Sequence, residues 1–289
     1  MRIGLLETDV LYDDLIKQYG SYGLMFEQYF TQLECTGLKL EFIYYQVQQG
    51  ELPLFLDECD AYVITGSKAG AYEDHAWIEP LSKWIVEADK AQAKVLGVCF
   101  GHQIIAQALG GKVEQSDKGW GLGVRSLLTV SDSPFAQPLP KYLDLIYSHK
   151  DQVVKLPATA HNFISDDFCP HAGFTIGQHI VTFQGHPEFT PQYSERLFTR
   201  RAKDIGEPTF SNAIKSLRQS TDENFIGRLI LEFLRPDEHV LEQIALEQEA
   251  LEKALLENKK LEKSKKKNEQ DLEDPINSSQ IDNSQLHTS

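Results

Sequence analysis

An apolar run, Lys94-Val95-Leu96-Gly97-Val98, leads without any spacer into Cys99, and Phe100-Gly101-His102-Gln103 follows at once. The run has the composition of a buried strand, whereas Ile104, Ile105, Ala108 and Leu109 recur at helical spacing until Gly110-Gly111 stops them. No residues are left between strand and helix for a loop, so the chain must turn sharply at Cys99. Gly97 and Gly101, two positions to either side, let neighbouring backbone pass where a Cβ would not fit. A strand, a tight turn and a helix in that order require a sheet covered by helices. They also set the Cys99 thiol out at the carboxyl edge of that sheet, on a helix N-terminus whose unpaired amides favour an anion. The amide of Phe100 can face an oxyanion there.

The chain around this unit alternates short apolar runs with amphipathic stretches, the pattern of an open α/β sheet covered by helices. Strands are expected at residues 2–7, 38–45, 61–65 and 94–98, and helices at 20–33 and 77–91. Between 112 and 183 short strand candidates separated by Gly, Pro and Asp, at 124–130, 143–147, 162–165, 174–176 and 180–183, suggest antiparallel additions to the sheet. Helical patterning returns at 192–205 and 224–234, and the folded body is expected to span residues 1–236. Residues 237–263 are charged and lack aromatics, with Leu241, Ile244, Leu251 and Leu255 at approximate coiled-coil spacing, which suggests a helical extension. Residues 264–289, which include Lys265-Lys266-Lys267, have too little apolar content to pack and are expected to be disordered.

Composition then excludes several functions. With 41% hydrophobic and 10% aromatic residues the chain can bury a core. Its 43 acidic and 28 basic side chains give a formal charge of -15, which repels nucleic-acid phosphates and anionic membrane surfaces. No apolar stretch is long enough to span a bilayer, and the opening residues, with Glu7 and Asp9, are too acidic for a signal peptide, so a cytoplasmic protein is expected. Cys35, Cys59, Cys99 and Cys169 show neither metal-site spacing nor a disulfide framework, and no His-x-x-x-His pair occurs. Neither a metal nor a cofactor is expected.

A nucleophile needs a base. Phe183-Gln184-Gly185-His186-Pro187-Glu188 follows an expected strand, and Pro187 favours an extended backbone at His186, which turns side chains 186 and 188 to one side. An imidazole beside a carboxylate can accept a thiol proton, return it to a leaving amine, and be held in one tautomer throughout.

The combination of Gly97-Val98-Cys99-Phe100-Gly101-His102-Gln103 with Gly185-His186-Pro187-Glu188 resembles the glutamine-hydrolysing domain of class I glutamine amidotransferases. Within that family the chain looks most like stand-alone proteins related to the amidotransferase half of GMP synthase, a group that includes gamma-glutamyl peptidases. Residues 64–68, 118–124 and 148–153 look like further blocks of that subgroup, expected as loops. The resemblance implies an open, mostly parallel, flavodoxin-like sheet. It also implies Cys99 as nucleophile, His186 as acid and base, Glu188 as the residue that orients it, Gly66, Ser67 and Phe100 around the oxyanion, and Gln103 in the glutamine pocket.

The substrate implied is glutamine or another gamma-glutamyl compound, cleaved through a gamma-glutamyl thioester. No phosphate-binding glycine loop occurs in the chain, so a synthetase that uses the ammonia would be a separate polypeptide. A gamma-glutamyl peptidase and a non-catalytic regulatory or scaffold protein that keeps the fold stand as alternatives. Because residues 237–289 carry none of the chemistry, their deletion should leave hydrolysis of gamma-glutamyl amides intact. Loss of most turnover in a folded truncation would contradict that reading.

Overall fold

The computed structural model describes residues 1–33 and 39–236. Cys35, the start of the expected 38–45 strand, the expected 237–263 helix and the expected 264–289 tail lie outside the described residues. The chain opens with β1 (Arg2–Glu7), α1 (Asp13–Tyr19) and α2 (Tyr22–Gln32), then β2 (Glu41–Gln46) and β3 (Ala61–Ile64). It continues through α3 (Ile78–Lys90), β4 (Lys94–Val98) and α4 (Phe100–Ala108). Next come β5 (Lys112–Gln115), β6 (Gly121–Thr129), β7 (Tyr142–His149), β8 (Asp151–Lys155), β9 (Ala160–Ser165), β10 (Gly173–Ile176) and β11 (Ile180–Phe183). Four helices follow, α5 (Pro191–Arg200), α6 (Ala202–Ile205), α7 (Thr209–Ser216) and α8 (Glu223–Leu234).

Among the described residues, nine strands form one sheet in the order β2-β1-β3-β4-β11-β10-β9-β6-β7. The strands from β2 through β11 in that order run parallel, and β10, β9, β6 and β7 extend the sheet by antiparallel pairs. Period-two alternation assigns the faces. Leu5, Val63, Leu96 and Val98 pack on one face with Phe26 and Phe30 of α2 and Ile226, Ile230 and Phe233 of α8. Leu6, Tyr62, Ile64 and Val95 pack on the other with Leu81 and Ile85 of α3 and Ile104 and Ile105 of α4. Burial on both faces is why these strands read as continuous apolar runs. No helix among the described residues is long and apolar enough to cross a membrane.

The open sheet with flanking helices is as expected, and the structure revises its details. β11 is not a purely antiparallel addition: it lies parallel to β4 and antiparallel to β10, which joins the two halves of the sheet. The expected 20–33 helix begins at Tyr22, because Gly20, at φ 69°, ends the separate helix α1, and Ser21 caps α2 by accepting from the Leu24 amide at 3.1 Å. The expected 192–205 helix is broken at Arg201 into α5 and α6. α7 was not foreseen. Nor was the β5–β8 ribbon, whose strands bury only Val113, Gln152 and Val153 and so lack an apolar run. The 118–124 and 148–153 blocks, expected as loops, contribute to β6, β7 and β8.

The glycines that flank Cys99 position α4 against the sheet. A Cβ on Gly101 would lie 2.2 Å from the Ile64 carbonyl oxygen, and one on Gly97 would lie 2.7 Å from the Gly101 carbonyl oxygen. Both obstacles are backbone, which cannot swing aside as a side chain can. Gly101→Ala should therefore cost ~1–3 kcal/mol of stability even though alanine is the better helix former. An unchanged or higher unfolding midpoint in urea would contradict this packing.

Candidate active site

Parallel pairing of β4 with β11 sets Val98 opposite Phe183, so the residues that follow each strand leave the sheet along the same edge. Open α/β sheets bind ligands at this carboxyl edge. Cys99 follows β4 directly, and its amide donates to the Phe183 carbonyl at 2.8 Å while its own carbonyl accepts from the Gln103 amide at 3.0 Å. His186 lies just past β11 and its amide donates to the Ile146 carbonyl of β7 at 2.8 Å. Both residues are thus fixed to the sheet through their backbones.

Cys99 has φ 54° and ψ -101° and sits at the N-cap of α4. That backbone conformation costs a non-glycine residue ~1–3 kcal/mol. The geometry expected of the glycine-flanked turn is present. Cys99 is only 6% exposed, yet it lines an open cavity of about 340 Å³. Phe100, the first residue of α4, has an amide with no partner inside the helix.

His186 and Glu188 form a buried pair, Nδ1 to Oε1 at 2.8 Å, and the Glu188 side chain is fully enclosed. Phe189 stacks on the imidazole with ring centroids 3.7 Å apart, which fixes the plane of the ring. Burial alone would push the imidazolium down. The charges of Glu188 and Cys99 and the hydrogen bonds to both outweigh burial and hold the His186 pKa at about 10. The pair thus favours the protonated ring.

Gly66 abuts the pair: a Cβ there would lie 3.1 Å from His186 Cε1 and 3.7 Å from Cys99 Cβ. The 65–69 loop that carries it is fastened to the segment after β1. The one proton of Thr8 Oγ1 is shared between the Thr65 and Gly66 carbonyls, each at 3.1 Å, and Ser67 Oγ donates to the Thr8 carbonyl at 3.0 Å. Asp9 accepts from the Lys68 amide at 2.7 Å and pairs with Lys68 Nζ at 2.7 Å. Among the described residues the amides of Gly66 and Ser67 donate to nothing in the protein. Like the amide of Phe100, they are donors without a protein partner near Cys99.

The seven residues singled out from the sequence thus sit at one edge of the sheet. Gln103 lines the cavity, but its Nε2 donates to the Asp151 carbonyl at 2.8 Å and to Gln184 Oε1 at 3.0 Å, so its amide nitrogen also braces the wall. Sequence reasoning gave no role to Thr8 and Asp9, which hold the 65–69 loop. Their position directly after β1 was the available signal, since residues just past a parallel strand belong to the carboxyl edge. Trp120, Ser148 and Lys150 also line the cavity, within blocks noticed only for their resemblance, and Arg201 was missed because its stretch read as uninterrupted helix.

Glu188→Gln removes one of the charges that hold the imidazolium, so the His186 titration should move down from about 10 by roughly 1 to 3 pH units. Ring-proton resonances followed against pH would measure it, and an unmoved midpoint would contradict this account. The sign for folding follows. A pKa raised from 6.5 in a free imidazole contributes stability that is complete below about pH 6.5 and is lost as pH rises through about 10.

Comparison with known proteins agrees with this architecture. Residues 15–203 match the family described as glutamine amidotransferase class-I. The chain is 32% identical over 230 residues to gamma-glutamyl peptidase 3 of Arabidopsis thaliana, covering 76% of this chain and 90% of that protein. It is 27% identical over 186 residues to the glutamine-hydrolyzing GMP synthase of Thermotoga maritima, covering 64% of this chain and 34% of that protein. Its fold resembles the crystal structure of a glutamine amidotransferase from Thermotoga maritima with a TM-score of 0.64 at 22% identity, covering 81% of this chain and 96% of the other. This chain belongs to the class-I glutamine amidotransferase family.

Proposed function

We propose that the protein hydrolyses the gamma-carboxamide bond of glutamine or of a gamma-glutamyl compound, with Cys99 as nucleophile, His186 as acid and base, and Glu188 as the positioning residue. The observation that carries this reading is the meeting of a cysteine in a strained turn with a buried imidazole–carboxylate pair at the edge of an open cavity. A cysteine kept only for packing needs neither the turn nor the pair. Hydrolase and amidotransferase names among the relatives support the same chemistry.

The proposed steps are these. The Cys99 sulfur attacks the carboxamide carbon and forms a C–S bond, while the C=O electron pair moves to oxygen as an oxyanion. The amides of Phe100 and of Gly66 or Ser67 are the donors proposed for that oxygen. The imidazolium of His186 then passes its proton to the departing nitrogen, the C–N bond breaks, and a gamma-glutamyl thioester remains on Cys99. Water enters, His186 takes its proton, and the second tetrahedral species expels the sulfur to give glutamate. His186 regains the proton it gave up, so the cycle closes without a cofactor.

Glu188 acts through His186. Its Oε1 selects the tautomer whose other nitrogen faces the reacting atoms and stabilises the imidazolium. Removing it should cost less than removing sulfur. Gln103 and the 65–69 loop are proposed to form the floor that positions the carboxamide.

The test is release of glutamate from glutamine and from gamma-glutamyl dipeptides by the purified chain. Cys99→Ala, and stoichiometric alkylation of Cys99, should abolish release from every substrate while the unfolding midpoint stays close to that of the parent. Glu188→Gln should keep a measurable fraction. Undiminished turnover by folded Cys99→Ala protein would refute the mechanism.

A further inference from the structure

The cavity that holds Cys99 also holds an aromatic platform flanked by two cations. Lys150 Nζ lies 6.0 Å and Arg201 Cζ lies 5.6 Å from the centroid of the Trp120 indole. Arg201 further donates from Nη1 to Ser148 Oγ at 3.3 Å. Trp120 comes just before β6, Ser148 is in β7, Lys150 joins β7 to β8, and Arg201 joins α5 to α6. Separate parts of the chain converge to hold these charges on one wall.

Neither cation has a carboxylate within salt-bridge distance among the described residues, although Glu73, Asp151 and Asp204 also line the cavity. Nearby cations are treated differently: Lys68, on the same cavity, is paired with Asp9, and Arg200 is paired with Asp14. Burial pushes His149, also on the wall, down to about 4, so it adds no charge at neutral pH. Two like charges brought to one indole repel each other, and an anion seated on that wall between them would relieve the repulsion.

Charge matching narrows the ligand. Glutamine has one carboxylate, whereas a gamma-glutamyl amino acid has a second carboxylate on the leaving amine, close to the scissile nitrogen. Two unpaired cations match two carboxylates. Lys150 adjoins Asp151, whose carbonyl accepts from Gln103, the residue proposed above to help position the carboxamide. Arg201 belongs to a different element, and its planar guanidinium suits a carboxylate bound side-on. We propose that Arg201, held on Trp120 and Ser148, receives the free carboxylate of the leaving amino acid, which makes gamma-glutamyl amino acids, and peptides with a leaving carboxylate at that distance, preferred over glutamine. This rests on the gamma-glutamyl hydrolase reading above.

The test uses gamma-glutamylglycine and gamma-glutamylglycinamide, which differ only in the charge on the leaving group. Binding of each to full-length Cys99→Ala protein is measured by calorimetry, and turnover of each is measured with Cys99 present. One charge-assisted contact corresponds to about tenfold or more in affinity, so gamma-glutamylglycine should bind at least that much better than its amide. Arg201→Gln should collapse the ratio to about one, mainly through KM in turnover, and Arg201→Lys should restore part of it. Equal binding of the two probes to the Arg201 protein, or a ratio that survives Arg201→Gln, overturns the proposal. Turnover without preference would sink this inference alone, whereas carboxylate-dependent binding without any turnover would sink the hydrolase reading and leave the carboxylate site standing.

Discussion

No side chain fits between the end of β3 and the first turn of α4, and the geometry of the site follows from that close approach. With Gly101 against the Ile64 carbonyl and Gly97 against the Gly101 carbonyl, the backbone has one way to pass from strand to helix, and the residue between the glycines takes φ 54°. The turn spends the Cys99 amide on β11 and the Cys99 carbonyl on the helix, which leaves the first helical amide free. A strained cysteine beside free donors is thus a consequence of packing. The local cost, ~1–3 kcal/mol, is offset by the apolar clusters on the two faces of the sheet.

The electrostatics of the site differ from those of the whole chain. A formal charge of -15 makes the molecule a poor partner for anions on average, yet the cavity beside Cys99 holds Lys150 and Arg201 without carboxylate partners. Glu188, by contrast, is enclosed with His186 and favours the protonated ring. Under the proposed mechanism these are two separate tasks, proton transfer to the leaving nitrogen and recognition of what that nitrogen carries. The antiparallel half of the sheet connects them, because β7 supplies both the carbonyl that anchors the His186 backbone and Ser148, which braces Arg201.

Much of this was legible in the sequence where one local rule decided the outcome. β4 and β11 were read to the residue, since both are short apolar runs with sharp boundaries at Cys99 and Gln184. The tight turn at Cys99 and the His186–Glu188 pair were legible because glycine spacing and Pro187 restrict backbone conformation directly. Tertiary pairing was not legible: nothing in residues 180–183 reveals that their neighbour is β4, and the partly exposed strands β5 and β8 carry no apolar run to mark them. Arg201 was hidden for a related reason. The apolar period continues through the break between α5 and α6, so a helix end that aims a cation into the cavity looked like one more exposed helical residue.

The central claim is that the Cys99 sulfur forms a covalent bond to the gamma-glutamyl group during turnover. The most direct measurement is rapid acid quenching of the protein mixed with a gamma-glutamyl compound, followed by peptide mass spectrometry. The account predicts a mass increase of one gamma-glutamyl group on the peptide that contains Cys99, forming and decaying at rates that support glutamate release. Glutamate release at full rate with no adduct on that peptide, or with the adduct on another residue, would contradict it.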